Sequence, residues 1–216
     1  MGTFLETYGG LFAAAFATTL TLTAAGLVVA ALVALPLALG LRSQSWLIAV
    51  PARLYVELMR GAPLVILLFL AYYGGPSFGI VLDAETAGIA GLGLYGAGYF
   101  AEIYRAGLNA VPRGEIEAAA VLGLSRGQIF LHVRIPRAAR LVLPPAIGQA
   151  INLLKESAVL SVITVPELTK VAGEVSNLTF SAIAPYLTAA LLYWIAVEAL
   201  ARAGDAAERH LAVGKS

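Results

Sequence analysis

From Thr7 to Leu41 the chain runs for 35 residues without one charged side chain. A helix needs ~20 apolar residues to cross a bilayer, so this run predicts one membrane span with length to spare. The rest of the chain must then fold in or against lipid. The composition agrees: 60% hydrophobic and 12% charged, with a mean hydropathy of +0.85. A soluble domain averages roughly 45–50% apolar and about 25% charged. Residues 1–10 hold no Lys or Arg, so the basic leader of a signal peptide is missing and the span is expected to stay uncleaved. The chain has no Cys, which excludes disulfides and thiolate metal sites. His132 and His210 lie far apart without ligand spacing. No catalytic residue and no metal site are expected.

Four more apolar stretches follow. Gly61 to Leu82 is a second run with Pro63 near its start, and Thr86 to Ala101 is a shorter third, with glycine at 88, 91, 93, 96 and 98. Leu141 to Leu154 continues past Lys155-Glu156 into Ser157–Pro166 and reads as one interrupted span. Val175 to Val197 is the last. The expected fold is an all-α integral membrane protein with five transmembrane helices, a single domain over residues 1–216. The glycines of the third run read as sites of close helix packing.

Lys and Arg set the orientation. With five spans the loops alternate sides. One side collects Arg42, Arg53 and Arg60, then the six arginines from Arg105 to Arg140, then Arg202, Arg209 and Lys215: 12 of the chain's 14 basic residues. The other side holds only Lys155 and Lys170, beside Glu6, Asp83, Glu85, Glu167 and Glu174. The N-terminus is therefore expected outside and the C-terminus in the cytoplasm.

The loop between spans three and four is charged, from about residue 112 to 137. Pro112 and Gly114 announce a helix start. Glu115 and Glu117 fall in its first turn, where they complement the helix dipole. Ala118, Ala119, Val121, Leu122 and Leu124 offer a small apolar surface, and Gly123 admits close approach. Ser125 is placed to cap a second short helix, and Pro136 to break the chain before span four. Such a helix either rests on the bilayer or docks on a soluble partner. Alanine and glycine bury little apolar area, which favours docking.

Glu117-Ala118-Ala119, three residues, Gly123, nine residues, then Val133-Arg134-Ile135-Pro136 resembles the EAA loop of ABC importer permeases. Val133 and Ile135 take the aliphatic places of that motif. Three further blocks are similar to the polar amino-acid permeases of the histidine, glutamine, arginine and glutamate type. They are Tyr55–Gly74, with Ala62 where the family has Thr; Gly98–Ala119, with Ala106 for Gly and Glu115 for Gln; and Ile151–Lys170. The resemblance implies a type I ABC importer permease fold in the bacterial cytoplasmic (inner) membrane. It implies a cytoplasmic ATPase dimer that binds ATP and Mg and grips the helix through Glu117, Ala118, Ala119 and Gly123. It implies an extracellular or periplasmic amino-acid-binding protein, a second permease copy or paralogue, and no cofactor or nucleic acid on this chain. The terminal Val213-Gly-Lys-Ser216 looks like the tail of a phosphate loop, but the glycine that motif needs is Arg209, and no helix follows. A secondary transporter or a structural membrane subunit is the alternative; the first is normally longer, with internal repeats.

Polar groups inside a span default to the protein interior or a pathway. Gln149, Asn152 and Glu156 recur at helical spacing, with Lys155 beside them. They read either as a substrate path or as a polar seam between helices, with Lys155 paired to a neighbour's carboxylate. Glu57 and Glu102 are expected to pair with Arg60 or Arg105. In relatives that carry cationic amino acids an acidic residue stands near the position of Gln149. An amide there suits glutamine or another neutral polar amino acid, and Glu156 is available to a substrate ammonium.

Overall fold

The computed structural model describes residues 2–212; the Val213–Ser216 stretch lies outside them. Among the described residues nine α-helices run in the order α1 (Gly2–Leu41), α2 (Trp46–Gly61), α3 (Leu64–Gly74), α4 (Ala84–Asn109), α5 (Arg113–Val121), α6 (Arg126–Ile129), α7 (Ile135–Glu156), α8 (Leu168–Thr179) and α9 (Ile183–Ala212). Short 3₁₀ segments follow α3 and α7, and no strand occurs among the described residues.

Three helical stretches are long and apolar enough to cross a membrane: Phe4–Leu41, Arg126–Ile163 and Ile183–His210. A fourth is added if α2 and the stretch Leu64–Phe78, bent by 104° against each other, count as one span. The bend falls at Ala62-Pro63, where Pro63 is the N-cap of α3. A proline disfavours helical backbone in the residue before it, and Ala62 is extended, with φ −99° and ψ 142°. The expected single run Gly61–Leu82 is thus one arm of a bent pair, and α2 is a helix that run counting did not supply.

α4 is the hub. A methyl group on Gly93 would lie 2.5 Å from Val29 Cγ1, on Gly96 3.0 Å from Ala30 Cβ, and on Gly98 2.9 Å from Met59 Cβ. Gly91 meets Leu68 and Gly107 meets Val142 as closely. Five glycines on different faces thus let α1, α2, α3 and α7 press against one helix. Leu92, Ala97 and Ala101 are fully buried. α4 lies inside protein, so it needs less hydropathy than a lipid-facing span. Its 26 residues reach about 39 Å at ~1.5 Å each.

Two expected boundaries move. The break foreseen at Pro136 is absent: a π-helical turn, Phe130–Arg134, carries the chain into α7, and Arg126–Ile163 is one helical stretch of 38 residues. Proline removes an N–H and crowds the carbonyl four residues back; a wider turn just before Pro136 accommodates both. Conversely, the expected span Val175–Val197 is interrupted. Phe180 takes a left-handed conformation (φ 50°) and ends α8. The last span begins at Ile183, with Pro185 in its first turn, where the missing N–H leaves no helix bond unmade.

α8 is fastened by a buried carboxylate. Glu167 caps it, accepting from Thr169 N at 2.8 Å and Lys170 N at 2.7 Å. Tyr193 Oη on α9 donates to the same carboxylate at 2.7 Å. Leu168 N donates to Thr19 Oγ1 on α1 at 3.2 Å. A buried polar group is retained only when its hydrogen-bonding capacity is satisfied, and here three donors do so.

Candidate coupling and translocation sites

α5 projects from the arginine-rich end of the bundle. Its start is held by Glu115, which pairs with Arg137 on α7: Arg137 Nε donates to Glu115 Oε2 at 2.8 Å, and Nη2 to Oε1. The bidentate geometry fixes orientation as well as distance, and the guanidinium holds the Glu115 carboxyl below its usual range. The helix ends in a Schellman motif: Leu124 N donates to Ala119 O at 3.2 Å and Gly123 N to Ala120 O at 3.0 Å. Gly123 sits at φ +82°, which L side chains rarely adopt. Its role in the isolated chain is to stop the helix, a reason the sequence reading did not include. Ser125 then opens α6 with a capping box: Gln128 N donates to Ser125 Oγ at 3.4 Å, and Ser125 N to Gln128 Oε1 at 2.9 Å.

The four residues assigned to coupling divide. Glu117, Ala118 and Gly123 are exposed, whereas Ala119 is buried, at 7% exposure. Ala119 therefore lies on the inner face of α5, which packs against α6 and the π turn Phe130–Arg134. The largest apolar surface belongs instead to Val121 and Leu122, 87% and 80% exposed. A small helix that turns its bulkiest apolar side chains to solvent is an unfinished interface.

Gln149, Asn152, Lys155 and Glu156 line one cavity of about 390 Å³ between α7 and α4. The sequence reading missed the other wall, Tyr95 and Tyr99 on α4. Their hydroxyls are 3.1 Å apart. The signal was two tyrosines at i, i+4 in a glycine-rich span, masked by reading that span as packing alone. Arg60 does not pair with Glu57; its Cζ lies 5.6 Å from the centre of the Tyr99 ring, within cation–π range. Glu102 pairs with Arg105 at 2.7 Å, as expected. Among the described residues neither Lys155 nor Glu156 forms an ion pair. The cavity thus offers amide, phenol, ammonium and carboxylate groups within an otherwise apolar bundle.

An exposed helix at one end and a polar cavity between spans meet in one family. The sequence matches the family described as "Binding-protein-dependent transport system inner membrane component" over residues 26–212. The chain belongs to this family.

As a member, the permease resembles the probable amino-acid ABC transporter permease protein YckA of Bacillus subtilis (strain 168), at 40% identity over 67% of this chain and 64% of that one. It resembles the arginine transport system permease protein ArtQ of the same organism at 35% identity over 74% of each chain. The YckA alignment spans slightly less than two thirds of that relative. Among solved structures, an amino acid ABC transporter crystallised with histidines superposes with a TM-score of 0.90 at 34% identity, over 95% of this chain and 96% of the other. The inward-facing MetNI methionine ABC transporter gives a TM-score of 0.83 at 22% identity over 95% and 98%, a likeness of fold. The fold is the all-helical type I ABC permease fold. The relatives are transport subunits rather than catalysts, and the permease is a membrane-embedded inner-membrane protein.

Proposed function

We infer that this chain is the membrane-spanning permease subunit of an ATP-driven amino-acid importer. One observation carries the mechanism: the Glu115 anchor of α5 and the polar cavity stand on the same helical stretch, Arg126–Ile163. From Arg137 to Asn152 is about 22 Å at ~1.5 Å per residue. A push on α5 is delivered through Arg137 to a rod that carries the cavity wall at its far end.

The five spans are α1, the bent α2–α3 pair, α4, the Arg126–Ile163 helix and α9, in one permease domain over residues 1–216. The N-terminus faces outside, and the coupling loop of about 112–137 faces the cytoplasm with the C-terminus. A cytoplasmic ATPase dimer, which binds ATP and Mg, takes α5 in a groove. Val121 and Leu122 enter it, and Glu117 and Ala118 form the rim; helix-in-groove recognition uses an apolar face with few charged contacts. A second permease copy or paralogue completes the pathway, and an external binding protein delivers substrate. The cavity suits a polar amino acid: Lys155 meets the α-carboxylate, Glu156 the α-ammonium, and Gln149 and Asn152 the side chain. An amide at 149 fits a neutral polar substrate such as glutamine. A site built on hydrogen bonds rejects analogues that leave its groups unpaired.

The experiment is uptake in proteoliposomes with the ATPase and binding protein present. Glu117→Lys and Leu122→Asp should insert and fold normally yet lose substrate-stimulated ATP hydrolysis; full transport in both overturns the docking role. Gln149→Glu should shift competition toward Arg and Lys. An unchanged order with intact transport makes this face a helix seam.

A further inference from the structure

A second cavity, about 540 Å³, opens at the arginine-rich end between the α4–α5 connection, the start of α5, the C-terminal end of α9 and the first half of α7. Its polar lining is Arg137, Arg140, Arg209, Glu115 and Glu208. These groups are not equivalent. Glu115 and Arg137 satisfy each other. Arg140 and Arg209 form no ion pair among the described residues. With Glu208 they leave one net positive charge in the lining. The remaining wall is apolar: Leu141, Leu143 and Pro144 rise from the guanidiniums along α7 toward the middle of its span.

The position matters as much as the charge. Arg140 borders the uncharged run that begins at Leu141, and Arg209 stands in the last turn of α9; arginines at such borders lie at headgroup depth, with their stems along apolar surface. Basic pockets between helices on the cytoplasmic side bind anionic lipid headgroups. We propose that this cavity is a binding site for the headgroup of one anionic phospholipid. Its phosphodiester is held by Arg140 and Arg209, and its first acyl carbons lie against Leu143 and Pro144. Glu208 limits the occupant: two unpaired cations against one carboxylate match a single monoanionic phosphodiester better than a headgroup with two phosphates. The site adjoins the Glu115–Arg137 pair, so an occupant braces the joint at which α5 meets α7. The proposal rests on the membrane orientation given above but needs neither transport nor ATP for its test.

The full-length permease, stripped of lipid in neutral detergent, is titrated with phosphatidylglycerol and followed by native mass spectrometry. One molecule should be retained per chain. Arg140→Gln with Arg209→Gln should weaken retention about thirtyfold, since each basic residue near the surface contributes ~1 kcal/mol. Arg202→Gln should leave it unchanged, because Arg202 pairs with Glu198 at 2.8 Å and does not line the cavity. Equal retention in the double variant overturns the proposal. Displacement of the lipid by millimolar inorganic phosphate also overturns it, in favour of a free-anion site. Should the double variant fail to fold, Glu208→Gln decides: it should tighten retention about fivefold, and no change sinks the idea.

Discussion

α4 and α5 are separated by three residues and are built on opposite plans. α4 is gripped on several faces, with glycines where four other helices come within contact of its backbone. α5 is held by one ion pair, one buried alanine and a Schellman turn, and shows its apolar residues to solvent. The difference separates scaffold from moving part. An element packed to contact on several faces has one position, because close-packed interiors do not deform continuously. An element tied chiefly at its start passes a displacement through that tie, here Arg137 on α7, while the packed scaffold keeps its place.

The comparison can be broken first at α4. Gly93→Leu must displace Val29 and with it α1, and over-packing of this kind costs about 3 kcal/mol. The expected loss is about 10 °C in melting temperature, read by thermal unfolding in detergent. An unchanged melt would mean that α1 and α4 are loosely packed. Gly123→Ala comes next, at about 1 kcal/mol for a left-handed residue gaining a Cβ. The cost should stay local: amide exchange accelerates across α5 while the global melt holds. A global loss would show that α5 is part of the scaffold.

Much of this contrast was legible in the residues. Pro112, Gly114 and the two glutamates announced the short helix α5, and Ser125 announced the cap that the structure shows. The helical spacing of Gln149, Asn152 and Glu156 placed them on one wall. Besides α2 and the tyrosine wall, other features escaped, each for a physical reason. Apolar-run counting sees hydropathy and not backbone, so it carried the last span through Phe180, whose left-handed backbone ends α8. It read Pro136 as a stop because the rule assumes α geometry, and a π turn relaxes that rule. It took Ala119 and Gly123 from a motif, which states which residues recur and not which way they face. Ala119 faces inward, and Gly123 serves its own helix.

A smaller effect sharpens the contrast through pH. Arg137 holds the Glu115 carboxyl below its ordinary value of 4.5. A depressed folded value means that the anchor is complete above that ordinary value and is lost as pH falls through the lowered one. Amide exchange in α5, corrected for intrinsic rate, should therefore be flat from neutral pH down to about 4.5 and accelerate below it. Glu115→Gln should remove the step. The smallest expected effect is that of Val121→Ser on the isolated permease, within ~0.5 kcal/mol for a surface change. A larger loss in its melt would show that this side chain already has a partner within the chain.

The π turn at Phe130–Arg134 sets the phase of the helix that follows. A π turn holds one residue more than an α turn, and each residue rotates a helix by about 100°. Its spare residue thus works as a clocking tooth between two gears. The cap at Ser125 fixes one side of it, and Arg137, Gln149 and Asn152 turn together on the other. Deleting any one residue from this segment would leave a regular helix that is sound in itself but mistimed. Arg137 would swing away from Glu115 and the polar wall away from Tyr95 and Tyr99, a loss of alignment without a loss of fold.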